Sequence, residues 1–148
     1  MERLYLDTNG DTQPRNAWDF HHVIPRTKAN TKGQRRFINQ EGLKLPIFRV
    51  WHNVGATALH RNVGLAPMPG IRLARVITHT LLDNTEDNVY DRFIEVADVV
   101  KDIAENSDDV AFKRDAARLS RSLDQQMPYI LEGQVRHIEE ASRPLEAA

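Results

Sequence analysis

The chain has no cysteine, no long apolar run and no internal repeat, and each absence excludes a class of protein. Without cysteine there is no disulfide framework. No apolar run approaches the roughly 18 residues that a membrane-spanning helix needs. Residues 1–10 carry charges of both signs, which is untypical of a secretion signal. We therefore expect a cytoplasmic protein without a membrane partner.

The charges are unevenly distributed along the chain. Of the 148 residues, 28% are charged, and the formal net charge is −1. Residues 1–80 hold 12 Lys and Arg against 5 Asp and Glu, whereas residues 81–148 hold 8 against 16. A polyanion such as nucleic acid is therefore expected to bind the N-terminal half. The acidic C-terminal half is interpreted as a solvated helical face, with a surface for a protein partner as the alternative.

Two adjacent histidines are the most informative feature of the sequence. Residues 21–25 read His-His-Val-Ile-Pro, in which an apolar, β-favouring pair and a proline follow the two imidazoles. In a strand, neighbouring side chains point to opposite faces, so His21 and His22 cannot share one face. One of them can hold a metal ion while the other reaches a substrate.

This segment resembles the opening signature of the HNH/endonuclease VII nucleases, the ββα-metal or His-Me finger superfamily. The resemblance is to its His-His branch, which contains phage nucleases and bacterial toxin domains, and it extends over residues 18–83. It implies that His21 binds the metal ion and that His22 is the general base that activates water. It also implies that an asparagine orients the base and that a histidine on the following helix completes the metal site. Many members of the superfamily also hold zinc in a cysteine framework, which this chain lacks.

Two pairs of residues can fill the remaining positions of this pattern. Residues 61–67 resemble the second strand of the superfamily, and His79 follows on a segment with helical spacing of apolar residues. This correspondence makes Asn62 the orienting residue and His79 the second metal ligand. In the alternative, Asn53 orients the base and His60 binds the metal ion. We favour the first pair because a strand, a proline and a helix then follow in order.

The implied activity is metal-dependent hydrolysis of phosphodiester bonds in nucleic acid, with DNA favoured over RNA. Histidine titrates near neutral pH, so His22 can take a proton from water. A divalent ion held by His21 and His79 would bind the scissile phosphate and offset charge on the departing oxygen. We expect Mg²⁺ to support activity, with Zn²⁺, Ni²⁺ and Mn²⁺ as alternatives because imidazole favours borderline ions. The competing hypothesis is a catalytically inactive protein of the same fold that binds nucleic acid or protein.

Five cationic side chains follow the histidine pair, on a loop or at the start of a short helix. They are candidates for contacts with phosphate groups that do not depend on base sequence. They are Arg26, Lys28, Lys32, Arg35 and Arg36. The alternative is a solvated loop without a ligand.

The predicted fold is α+β and mostly helical, with a basic ββα-metal module in residues 1–84 and an acidic helical region in residues 85–148 packed on it. Strands are predicted at residues 18–24 and 57–65, and a helix at residues 69–82.

Elsewhere the predictions follow from apolar spacing and from proline. Residues 43–54, which are apolar but interrupted by Pro46, are interpreted as a helix start or an irregular core segment. In the acidic region, apolar residues at helical spacing predict a helix that ends at residues 106–108. Pro128 is predicted to end the helix that follows.

Overall fold

The computed structural model describes residues 5–6, 12–13, 18–48, 66–83 and 89–141, and these residues form an α+β protein that is mostly helical. The strands are β1 (Tyr5–Leu6), β2 (Thr12–Gln13), β3 (Trp18–His22) and β4 (Lys44–Phe48). The α-helices are α1 (Lys32–Ile38), α2 (Ile71–Asp83), α3 (Val89–Asn106) and α4 (Val110–Ala141). β1 pairs with β2 and β3 pairs with β4, both antiparallel. The predicted fold class is therefore confirmed at this level.

The strand that pairs with β3 comes from a part of the chain where no strand was predicted. β4 lies where a helix start or an irregular segment was expected, and in the hairpin Lys44 lies opposite His22. Leu45 is buried and Lys44 is half-buried, which is the alternation of a strand with one face on the core. Among the described residues β4 pairs only with β3, and Pro46 is tolerated because its missing N–H can face away from that partner. The predicted strand at residues 57–65 lies outside the described residues.

The connection between β3 and β4 contains α1 between two 3-10 turns, Arg26–Lys28 and Glu41–Leu43. Thr31 caps the N terminus of α1, because its hydroxyl accepts a hydrogen bond from the Gln34 N–H at 3.1 Å. The side chain of Gln34 in turn accepts from the Asn30 N–H at 2.7 Å. These two bonds satisfy backbone donors that the helix itself leaves unpaired. The short helix expected in this basic connection is therefore present.

The helices after residue 66 largely follow the sequence pattern. α2 corresponds to the helix predicted at residues 69–82. The predicted break after α3 is confirmed, since α4 begins only at Val110. At this break the carboxylate of Asp109 accepts from the Phe112 N–H at 3.1 Å, and the Ser107 hydroxyl accepts from the Asp109 N–H at 3.3 Å. The Phe112 hydrogen bond lowers the pKa of the Asp109 carboxyl, and Arg72, whose guanidinium lies 2.8 Å away, acts in the same direction.

The prediction that Pro128 ends the helix is wrong. The helix continues through it to Ala141. A proline at this position removes the hydrogen bond to the carbonyl of Asp124 and crowds that carbonyl. Both residues lie on the exposed side of the helix, where water can reach the carbonyl, while Gln126 and Ile130 on either side of the proline are buried. Packing on both sides of the proline therefore outweighs the local preference to stop.

The buried residues of the hairpin and of the helices form one hydrophobic cluster. It combines Val23 and Leu45 with Leu73 of α2, Phe93 of α3 and Leu119 of α4. Within it, burial raises the pKa of the Tyr90 phenol. α3 packs mainly against α4, and α4 also contacts β4. The C-terminal helices therefore support the strands that carry the histidine pair.

No helix in the described part of the chain has the length and apolar character needed to cross a membrane.

Candidate functional site

The two adjacent histidines point to opposite sides of β3. His21 is 1% exposed and faces the core, as does Leu45, which lies opposite it on β4. His22 is half-buried on the outer face. The alternation predicted from the strand pattern is therefore confirmed, and the two imidazoles lie in different surroundings.

His21 is held by a buried amide on the long helix α4. Its Nε2 lies 3.2 Å from Oε1 of Gln126, which is 0% exposed. Because an amide oxygen only accepts, the His21 Nε2 must donate, and its lone pair is then on Nδ1 when the ring is neutral. The Gln126 amide nitrogen donates to the carbonyl of Val23 and to the hydroxyl of Ser122, both at 3.3 Å.

The Val23 carbonyl needs Gln126 because the hairpin ladder changes at this point. The Val23 N–H still donates to the Leu43 carbonyl at 3.0 Å, as in a continuing antiparallel pair. The Leu43 N–H, however, donates to the Gln40 carbonyl at 2.9 Å to close a 3-10 turn. Gln126 supplies the donor that Leu43 would otherwise give to Val23. One side chain of α4 thus completes the end of the hairpin and fixes His21.

His22 is oriented by an asparagine that follows α1. Its Nε2 lies 2.9 Å from Oδ1 of Asn39. By the same reasoning the His22 ring carries its proton on Nε2, and the lone pair that can accept a proton is on Nδ1. Asn39 is itself fixed as the C-cap residue of α1, where its backbone N–H donates to the Arg35 carbonyl at 3.1 Å.

Asn39 also lines an open pocket between the first 3-10 turn and α1. The pocket has a volume of about 240 Å³. Its lining residues are Arg26, Thr27, Ala29, Arg35, Ile38 and Asn39. Arg26 and Arg35 are both exposed, so their guanidinium groups can meet an anion from solvent. The pocket therefore places two cations beside the residue that orients His22.

The remaining predicted phosphate contacts lie on the same connection. Lys28 is in the 3-10 turn, and Lys32 and Arg36 are on α1. All three are exposed. The structure therefore keeps the five predicted cations at the surface, within one short stretch between β3 and β4.

The outer face of the hairpin adds an aromatic ring and a further cation. Phe20 lies two residues before His22 on the same face and is 50% exposed. Lys44, opposite His22, places its ammonium 4.9 Å from the centre of the Phe20 ring. Neither residue was among the predicted site residues.

His79 lies on α2 but points away from the core. Leu73 and Ile77 form the buried face of the helix, whereas His79 is exposed. Its side chain leaves the helix about 200° around the axis from that of Ile77. His21, by contrast, is buried against α4. The two predicted ligands therefore differ in exposure, and their joint role in a metal site stays a prediction.

The remaining predicted residues are those that would orient the base or complete the metal site. Among the described residues, no three or more His, Cys, Asp or Glu side chains form a group that could hold a metal ion. Asn62, and the alternative pair Asn53 and His60, lie outside the described residues.

Besides Phe20 and Lys44, the sequence reasoning missed the two residues that hold the histidines, Asn39 and Gln126. A signal existed for Gln126, which occupies an apolar position in the stripe Leu119, Leu123 and Ile130. A polar side chain at such a position has to find a buried partner. For Asn39 the sequence shows only an asparagine after a short basic helix, which by itself indicates a cap.

A scan with models of protein families, a search of curated protein sequences and a search of solved structures each found no match to this chain.

Proposed function

We propose that this protein is an endonuclease that hydrolyses phosphodiester bonds of nucleic acid, DNA favoured, with His22 as the general base. The observation that carries the proposal is the hydrogen bond of 2.9 Å between His22 and Asn39. Asn39 at the same time lines a pocket with Arg26 and Arg35. A base with a fixed tautomer beside two cations is what attack by water on a phosphate requires.

The reaction uses the outer face of the hairpin. His22 Nδ1 takes a proton from water as the water oxygen forms a bond to phosphorus. The bond between phosphorus and the leaving sugar oxygen breaks, and that oxygen takes a proton from solvent. Arg26 and Arg35 bind non-bridging phosphate oxygens and offset the charge that develops there. Asn39 keeps the Nε2 proton in place, so that Nδ1 stays the basic atom.

Dependence on a divalent ion is part of the proposal because the resemblance implies it. Such an ion would act as a Lewis acid on the phosphate. His21 could offer it only Nδ1, since its Nε2 donates to Gln126. With His79 as the predicted second ligand, the ion would have two protein ligands and open positions for water and phosphate. The proposed role of His22 does not depend on which residues bind the ion. A cytoplasmic location is part of the same proposal.

The test is cleavage of supercoiled plasmid, single-stranded circular DNA and RNA with Mg²⁺, Mn²⁺, Ni²⁺ or EDTA. We expect His22→Ala to lower the rate by about 10²–10⁴-fold, the usual contribution of a general base. Asn39→Ala should lower kcat with little change in KM, because it acts on the tautomer of His22 and not on binding. Asn106→Ala, at the exposed end of α3, is the matched control.

A further variant separates the metal question from the catalytic one. If His21 and His79 do not share the ion, His79→Ala should cleave at the rate of wild type. If they do, the variant should need a higher metal concentration to reach that rate. A well-folded wild type that leaves all three substrates intact in every ion would refute the nuclease proposal.

The second candidate is a nucleic-acid-binding protein without catalysis. It is favoured by the five exposed cations, which need no metal ion to bind phosphate. It predicts polynucleotide binding that is unchanged in His22→Ala and weakened in Arg35→Ala. A protein partner would instead bind the exposed carboxylates of α3, which are Asp91, Glu95, Asp98, Asp102 and Glu105. Binding that survives Arg35→Ala but is lost when these carboxylates are removed would indicate such a partner.

A further inference from the structure

The outer face of the hairpin carries features that the hydrolysis itself does not use. Phe20 and His22 alternate with the buried His21, so both project from the same side of β3. Two residues along a strand correspond to roughly 6.8 Å. Along the chain, His22 lies between Phe20 and the turn that carries Arg26. The order of groups is therefore an aromatic ring, the candidate base and a cationic pocket.

An exposed phenylalanine alone means little, because single apolar residues are common at protein surfaces. Here the ring is paired with a cation, since the Lys44 ammonium lies 4.9 Å from its centre. Lys44 is also the cross-strand neighbour of His22. Aromatic rings that alternate with cations along a nucleic-acid path are how proteins hold single strands, because every base has a face that can stack.

The Phe20 ring can stack only on a base whose face is accessible, and this separates single-stranded from double-stranded nucleic acid. In a duplex, base faces are covered by their neighbours, and exposing one requires unstacking and unpairing it at a cost of a few kcal/mol. An unpaired base offers its face without that cost. Near His22 lies the pocket lined by Arg26 and Arg35, whose guanidinium groups can bind a phosphate of the same strand.

We propose that the substrate is nucleic acid with an unpaired nucleotide, whose base stacks on Phe20 while a neighbouring phosphate enters the pocket of Arg26 and Arg35. This inference rests on the proposed function in that it places the scissile bond at His22, between these two contacts. It goes further by assigning Phe20 and Lys44 to substrate binding and by naming the single-stranded form as the preferred one.

Binding without turnover tests the inference directly. Fluorescence anisotropy in EDTA would compare labelled oligo(dT), its RNA counterpart oligo(U), and oligo(dT) annealed to oligo(dA). We expect tighter binding of the single strands than of the duplex. Phe20→Ala should weaken single-strand binding about tenfold, the usual loss for one stacked base. Phe20→Leu should be as weak, whereas Phe20→Tyr should bind like wild type, because only tyrosine keeps a ring that stacks.

Leu82→Ala is the matched control, since this exposed apolar side chain lies on α2 and outside the site. Its affinity should equal that of wild type. Equal binding of single strand and duplex by wild type, or unchanged single-strand binding in a folded Phe20→Ala variant, would overturn the inference.

The same variants keep the two proposals distinguishable. If single strands bind through Phe20 but no nucleic acid is cleaved, the hydrolysis proposal fails and the site for an unpaired nucleotide stands. If duplex is cleaved in a manner that needs His22 while Phe20→Ala changes neither binding nor cleavage, the nuclease stands and the unpaired-nucleotide site fails.

Discussion

Replacing Gln126 by leucine would test whether one amide on α4 holds the histidine-bearing strand in place. The two side chains have similar volume, so the substitution removes hydrogen bonds without opening a large cavity. It takes away the acceptor for His21 Nε2 and the donor for the Val23 carbonyl. Both groups belong to the buried end of the hairpin, where the Leu43 N–H is already committed to Gln40.

The expected magnitude follows from these two groups. A buried polar group that loses its partner costs about 1–3 kcal/mol. Two such groups, less the gain from burying an apolar side chain, give a loss of about 2–4 kcal/mol in the free energy of unfolding. For a chain of this length that corresponds to a fall in Tm of roughly 6–12 °C. The loss is a large share of the about 5–15 kcal/mol that typically stabilises a domain.

Urea denaturation followed by far-ultraviolet circular dichroism measures this loss. Gln125→Leu is the matched control, because Gln125 is the exposed neighbour of Gln126 on the same helix, and it should change stability little. In a double-mutant cycle, His21→Leu combined with Gln126→Leu should lose less than the sum of the two single variants. If Gln126→Leu unfolds at the same urea concentration as Gln125→Leu, the bridge between α4 and β3 does not stabilise the protein.

Three further predictions concern stability. Pro128→Ala should raise Tm by roughly 3–9 °C, because it restores a helical hydrogen bond on the exposed side of α4 and removes about 1–3 kcal/mol of local cost; an unchanged Tm would contradict this. Gly42→Ala should cost about 1–3 kcal/mol in urea denaturation, since the added Cβ meets the Leu81 side chain, and the loss should be smaller in a Leu81→Ala background. The lowered pKa of Asp109 means that its ionised form stabilises the fold above the unfolded pKa of about 3.9 and that this contribution is lost as pH falls through the folded pKa. Asp109→Asn should therefore unfold more readily than wild type at pH near 7, and in a pH series of thermal melts the difference should shrink as the pH falls below about 4.

The parts of the fold that the sequence predicted are those where one local signal decides the structure. The strand at the histidine pair, the helix that carries His79 and the break before Val110 all follow from apolar spacing and capping residues. The two errors both concern a proline. Pro46 was interpreted as an interruption, whereas β4 tolerates it because its missing N–H can face away from β3. Pro128 was interpreted as a helix end, whereas packing of Gln126 and Ile130 keeps α4 continuous. Local patterns do not report such packing.

The histidine pair and the cations after it were predictable from the sequence, but the partners of the histidines were not. The alternation of His21 and His22 follows from strand geometry, so their opposite orientation could be predicted. Their partners could not, because Gln126 is 105 residues away from His21 along the chain, and Asn39 reaches His22 only through the fold of the connection. Helical spacing correctly placed His79 on a helix, whereas its pairing with His21 in a metal site stays a prediction.

The acidic half of the chain contributes to the candidate site by position and not by charge. The exposed side of α3 carries a row of carboxylates at helical spacing: Asp91, Glu95, Asp98, Asp102 and Glu105. Such a row repels a polyanion, while the exposed cations between β3 and β4 attract it. The opposite side of α3 packs on α4, which in turn holds β3 through Gln126. The two halves of the chain therefore differ in charge but share one hydrophobic core. The helices that orient the hairpin also favour approach of the proposed nucleic-acid substrate to the exposed cations between β3 and β4.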